Sequence, residues 1–203
     1  SIAGQTATSL VVDRIGLTGG GKKLISKRRV ASAGITVFAV FISALDRISI
    51  VSFSIFALVL ATLAGVLVGI QRALNGQINE HTKASFTTSF LNFFMGTSTL
   101  VILLFALLLF KGDAIVALPS GPWWIYSGGT IGVIYIAFTS TIVQHLGVLT
   151  FTLFSVGGTL VGSLLIDIFS PTNGNTVSWY LVLGIAIAYL GVLTGGQSSL
   201  FKR

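Results

Sequence analysis

Cysteine is absent from this 203-residue chain, which excludes a disulfide framework, a thiolate nucleophile and a thiolate metal site. Charge is nearly as scarce: 8% of residues are charged, against about a quarter in ordinary soluble domains. Acidic residues number five, and the two histidines, His81 and His145, stand far apart with no acidic cluster beside them. A zinc or di-metal centre is therefore not expected, and neither is any other cofactor. No nucleophile–base pair or metal set occurs, so an enzyme is not expected either. A net charge of +7 raises the question of nucleic acid. The basic residues fall in short gaps between apolar runs, not on a polar face, so nucleic acid is not an expected partner.

Apolar residues are what the chain has in abundance: 53% are hydrophobic and the mean hydropathy is +0.96. A soluble fold of that composition would lack the ionisable groups to cover its surface. The sequence predicts an all-α, polytopic transmembrane helix bundle whose first partner is the lipid bilayer. A bilayer core demands about 20 apolar residues in a helix, because no backbone polar group can go unpaired there. Ile48–Gln71, Phe86–Phe110, Trp123–Val143 and Val148–Phe169 meet that demand. Val177–Gly196 is Gly-rich but uncharged, and Val30–Leu45 is short and ends at Asp46-Arg47. Ser1–Ile15 reads as the second half of a helix whose start is absent.

Orientation follows from the Lys and Arg residues flanking these spans. Alternating the helices gathers Arg14, Lys22, Lys23, Lys27, Arg28, Arg29, Arg72, Lys83, Lys202 and Arg203 on one side. Arg47 and Lys111 fall on the other. The first side is expected to be cytoplasmic, and the C-terminus with it. Trp123, Trp124 and Trp179 stand at the predicted helix starts on the opposite face, where indoles anchor at the interface.

The chain also resembles itself. SIAGQTATSLVVDRI, from Ser1, aligns without gaps on SVGGTLVGSLLIDIF, from Ser155, with Ser1/Ser155, Gly4/Gly158, Ser9/Ser163, Leu10/Leu164 and Asp13/Asp167 identical. The loop after Asp13 is crowded with Lys and Arg, whereas SPTNGNTV after Asp167 has no charge. The two copies are therefore expected to run in opposite directions, as inverted-topology repeats do in secondary transporters. Residues 48–203 then form a complete five-helix repeat, and residues 1–45 the last two helices of a truncated first one. About three further helices would precede Ser1 in a complete pair.

These stretches resemble the YdcZ family of inner-membrane exporters, a branch of the drug/metabolite transporter superfamily. The resemblance is carried by AGVLVGIQRALNGQI (Ala64–Ile78), FLNFFMGTSTL (Phe90–Leu100), PWWIYSGGTIGVIY (Pro122–Tyr135) and SLLID ending at Asp167. AGQTATSLVVD at the start is similar to the last of these. One departure is visible: the family's Gly-Gln pair is kept as Gly4-Gln5 but becomes Gly158-Thr159 in the second copy. The resemblance implies a multi-pass protein of the inner (plasma) membrane that exports a small metabolite or drug-like molecule. A homodimer is compatible with such a chain.

The polar residues within the spans are the candidate site. Ser155, Thr159 and Ser163, with Thr152 before them, share one helical face, and Ser1, Gln5 and Ser9 repeat it. Such a stripe can line a central cavity or bond back to its own helix and ease packing. Asn92 and Tyr135 lie well inside spans and need partners, which makes them cavity-lining candidates too. Gln71 and Asn75 lie one turn apart at the predicted cytoplasmic end of their helix, beside Arg72, and suit a gate or interface role. Asp13 and Asp167 close their helices and suit the same role, because a carboxylate at a helix end reaches interfacial water. With no carboxylate mid-membrane, neutral amides and hydroxyls are expected to hold an uncharged or zwitterionic substrate, or a cation on aromatic faces. The other class open to the chain is a non-transporting scaffold or assembly subunit whose polar stripes only pack helices.

Overall fold

The computed structural model describes residues 1–43, 45, 54–111, 121–169 and 179–200. Asp46-Arg47, the 170–177 loop and the Lys202-Arg203 terminus lie outside the described residues. Seven α-helices and no strand occur among them: α1 (Ile2–Ile15), α2 (Lys27–Ser43), α3 (Ile55–Thr82), α4 (Ser85–Lys111), α5 (Gly128–Leu146), α6 (Val148–Phe169) and α7 (Trp179–Leu200). Four of these, α3 to α6, are long and apolar enough to cross a membrane. The surface of α4 agrees, since Phe94, Met95, Leu100, Ile102, Phe105 and Leu109 are all exposed large side chains. Lipid tails are the medium in which such a surface is stable.

Several boundaries differ from the sequence expectation. α3 opens at Ile55 behind the Ser54 N-cap and not at Ile48, and α2, α5 and α7 are displaced by a few residues. Two further differences bear on the site. The helix expected to close at Gln71 continues to Thr82, and stops only where Lys83 turns left-handed at φ 52° and its N–H bonds the Asn79 carbonyl. No proline interrupts ALNGQINEHT, and the turn signal of Asn75-Gly76 is overridden by packing of the buried Gly76 against Thr18 and Val143. The buried Asn75 and Asn79 find partners on other helices. Ahead of α5, residues Trp123–Tyr126 form a 3₁₀ turn after Pro122 instead of the first α turns. Its end is fixed by the Ser127 hydroxyl, which donates to the Trp124 carbonyl at 2.7 Å.

Close approach of backbones sets how the helices pair. α1 and α3 cross in parallel where Gly4 meets Thr62 and Val66, and Gly69 meets Thr8. α2 and α7 run antiparallel, because Ser32 lies against Gly195, Thr36 against Gly191 and Ser43 against Gly184. Small residues at both seams match the way helices pack in lipid, where contact rather than hydrophobicity drives association. Other small ridges do not pack in this way: Gly132 meets the Phe93 ring, but a Cβ at Gly128, Gly158 or Gly162 would meet nothing within 4 Å.

α1 and α6 are also antiparallel, and Asp13 joins them. Its carboxylate, 1% exposed, accepts from the backbone N–H of Val148 at 2.7 Å and of Leu149 at 3.2 Å. It also forms an ion pair with Arg29 of α2. Asp13 is thus a buried cap on the α6 N-terminus, not a carboxylate reaching interfacial water. Gly147 makes room for it: its φ is 87°, and a Cβ there would lie 2.8 Å from Asp13 Oδ2. Gly147→Ala is expected to destabilise the fold by about 1–3 kcal/mol, the range for a non-glycine residue held in such a backbone conformation. A lower melting temperature in detergent, with the Gly34→Ala variant as control, would register it.

Candidate functional site

The 28-residue length of α3 carries charge into the bundle. Arg72, Asn75 and Asn79 recur at helical spacing along one stripe, with Gln71 beside them. Arg72 lies ten residues before Thr82, which is about 15 Å along the axis at a rise of 1.5 Å per residue. There its Nη1 donates to Gln5 Oε1 on α1 at 3.0 Å and to Thr152 Oγ1 on α6 at 3.1 Å. Its guanidinium carbon stands 5.3 Å from the centre of the Phe151 ring. Phe151 in turn packs at a tilt against Tyr135 of α5, with ring centres 6.5 Å apart. Three helices therefore meet at this guanidinium, and α5 stands behind it through the Tyr135–Phe151 contact.

The hydrogens in this cluster are ordered by chemistry. Arginine can only donate, so the Thr152 oxygen accepts from it and keeps its own proton to give. Ser9 Oγ lies 3.1 Å from Thr152 Oγ1 and donates to the Gln5 carbonyl at 2.6 Å. With the Ser9 proton committed, Thr152 donates to Ser9, and a directed chain runs from Arg72 through Thr152 and Ser9 to the α1 backbone.

A second polar contact lies beside the first. Asn92 Oδ1 on α4 accepts from Gln71 Nε2 at 2.9 Å and from Asn75 Nδ2 at 3.4 Å. Beyond it, Asn79 Nδ2 donates to Gln144 Oε1 of α5 at 2.9 Å. These amides hold α3 to α4 and α5; Asn75 is buried within the bundle and Gln71 exposed on its surface, and both stand well short of the helix end at Thr82.

The remaining sequence candidates separate from this cluster. Gln5 and Tyr135 join it, and Ser9 supports it while fully buried. Thr159 is exposed and donates to the Ser155 carbonyl of its own helix at 2.8 Å. Ser155 and Ser163 are half-buried along α6, outside the cluster, and Asp167 lies in the last turn of that helix. Sequence reasoning missed Arg72 as a site residue, together with Phe151. The only available signal was the absence of proline between Arg72 and Thr82, and Asn75-Gly76 spoke against it as a turn pair. A permanent cation stands among the amides and hydroxyls, where the sequence predicts neutral groups alone. Away from it, an apolar groove of about 190 Å³ between α4 and α5 is lined by Phe86, Ile134, Ala137, Phe138 and Ile142, with Ser85 and Thr141 at its rim. It offers little with which to select a polar solute.

Helices of this length and polarity, meeting at a polar cluster, define a multi-pass membrane protein. The family model described as "Putative inner membrane exporter, YdcZ" matches residues 56–194, more than half of the chain. The chain belongs to that family. The matched stretch holds Arg72, Asn75, Asn92, Tyr135, Phe151 and Thr152, whereas Gln5, Ser9 and Asp13 precede it. No curated protein and no solved structure matches the chain.

Proposed function

We propose that this chain carries the translocation site of a secondary exporter of a small metabolite or drug-like molecule, worked by alternating access between two inverted repeats. The observation that carries the proposal is the convergence of α1 and α6 on the half-buried Arg72 of α3, with α5 packed behind them through Tyr135 and Phe151. Intramembrane ionisable residues are expensive to bury and mark substrate or ion pathways. Gln5, Thr152, Tyr135 and the Asn92 amide cluster are the polar groups a solute would meet there. Residues 1–45 are the last two helices of the first repeat and 48–203 the second. Pairing supports the inversion: the repeat-equivalent helices α1 and α6 pack antiparallel, and so do α2 and α7. Removing Arg72 from the flanking charges leaves nine basic residues against two, which still favours a cytoplasmic C-terminus.

The scaffold reading retains one observation in its favour. Thr6, Ser9, Thr62, Thr99 and Thr159 all bond back to carbonyls of their own helices, as packing residues do. Thiol accessibility separates the two readings, and the cysteine-free chain makes each introduced Cys a unique reporter. Gln5→Cys and Asn92→Cys are expected to react with a membrane-impermeant maleimide from one side of the membrane, and Leu103→Cys on the outer face of α4 from neither. Protection of both site positions from both sides would leave only the scaffold reading. In the same experiment, Thr82→Cys should react in inverted vesicles and Gly121→Cys in right-side-out ones. Labelling of both from one side would overturn the assigned topology.

A further inference from the structure

The charge balance around Arg72 bears on what enters the site. Among the described residues, only Nη1 of the five-donor guanidinium finds hydrogen-bond acceptors, and both are neutral. Neutral dipoles solvate a cation but leave its unit charge in place. The chain has five acids, of which Asp13, Glu80 and Asp167 are among the described residues. Asp13 is committed to Arg29 and to the α6 N-terminus. Glu80 lies eight residues beyond Arg72 on α3, about 12 Å along the axis, and pairs with Lys83 at 2.6 Å. Asp167 is fifteen residues past Thr152 on α6, about 22 Å along that axis. None of the three neutralises Arg72.

We infer that the Arg72 site takes a small organic oxyanion, a carboxylate or phosphate group on a planar or apolar body. The unused donors of Arg72 form the planar fork that carboxylate and phosphate oxygens match in pairs. Gln5 and Thr152 hold the guanidinium from one side, and the Phe151 ring packs against it. Tyr135, 45% exposed and in contact with Phe151, offers a ring and a hydroxyl to the body of the solute. The inference rests on the translocation site proposed above and replaces the expectation of an uncharged, zwitterionic or cationic substrate. The same oxyanion chemistry could be presented by a free solute or by an anionic lipid headgroup.

The test uses the whole chain in phosphatidylcholine nanodiscs at constant ionic strength, with benzoate as the anionic probe and benzamide as its neutral counterpart. Benzoate is expected to raise the melting temperature in a saturable way, and benzamide to leave it unchanged. Arg72→Gln keeps a donor for Gln5 and Thr152 but removes the charge. Its half-maximal benzoate concentration should rise at least about tenfold, as for the loss of a charged hydrogen bond. Arg72→Lys should fall between the two. If phosphatidylglycerol discs raise the melting temperature only when Arg72 is present, and weaken the benzoate response, the oxyanion comes from lipid. An equal benzoate response in both discs assigns it to a free solute. Equal responses to benzoate and benzamide in the unmodified chain would overturn the inference whether or not the variants fold. That failure is distinct from failure of the transport reading, which the maleimide experiment decides without any ligand.

Discussion

Asp13→Ala is expected to destabilise the protein by about 3–5 kcal/mol, the range for removing one partner of a buried ion pair. The carboxylate has three partners, and each is harmed differently. Arg29, itself buried, is left with an uncompensated charge. The Val148 and Leu149 N–H groups lose their acceptor at a helix start, where the backbone offers no replacement. The favourable interaction of a negative charge with the α6 dipole, worth about 0.3–2 kcal/mol, also disappears. Asp13→Asn should fall between the two, because an amide oxygen can still accept one N–H while the charge opposite Arg29 is gone. Adding Arg29→Met to Asp13→Asn should recover part of the loss, since no unpaired charge then remains. Thermal unfolding in detergent measures the series. A melting temperature unchanged in Asp13→Ala would mean that the residue is the interfacial anchor its place in the sequence suggests.

The same residue shows where local sequence stops being informative. Asp13 reads as a helix-end group because α1 does end two residues later, at Ile15. Its burial depends on Gly147 and Val148, which arrive from more than 130 positions away. The spans themselves were legible, because hydropathy is a local property. Val148–Phe169 stands as expected, and Phe86–Phe110 differs from α4 by one residue at each end. α3 failed for a physical reason. Arg72 looked like an interface because a lone cation in lipid would be costly. What keeps it inside are acceptors 67 and 80 positions distant.

The repeat aligns residues without saying which of them touch. Alignment makes Gln5 equivalent to Thr159, but equivalence is not contact. Antiparallel helices meet with their residue orders reversed, which brings Ser9 to Thr152 and Asp13 to Val148. Of the α6 stripe, Thr152 therefore joins the Arg72 cluster, and Ser155, Thr159 and Ser163 lie outside it.

The crossing of α1 over α3 is the second place where one substitution should have a large effect, and there the fold and the site fail together. A Cβ at Gly4 would lie 2.3 Å from the Thr62 carbonyl oxygen and 3.1 Å from the Val66 nitrogen, both backbone atoms within α3. No side-chain rotation relieves such a contact, so Gly4→Leu must push the two helices apart. Overpacking costs about 1–3 kcal/mol where side chains can yield, and a backbone obstacle belongs at the upper end of that range or beyond it. Gln5 is the next residue, so the displacement also draws its amide away from Arg72, to which it lies 3.0 Å away. The melting temperature of Gly4→Leu should fall clearly, and any response to benzoate should weaken with it. Gly34→Ala provides the contrast, since a Cβ there meets nothing within 4 Å. Exchanging a helical glycine for alanine in open space should be neutral or stabilise by up to about 1 kcal/mol. Equal melting of Gly4→Leu and Gly34→Ala would show that α1 does not approach α3 this closely, and the contact between Gln5 and Arg72 would fall with it.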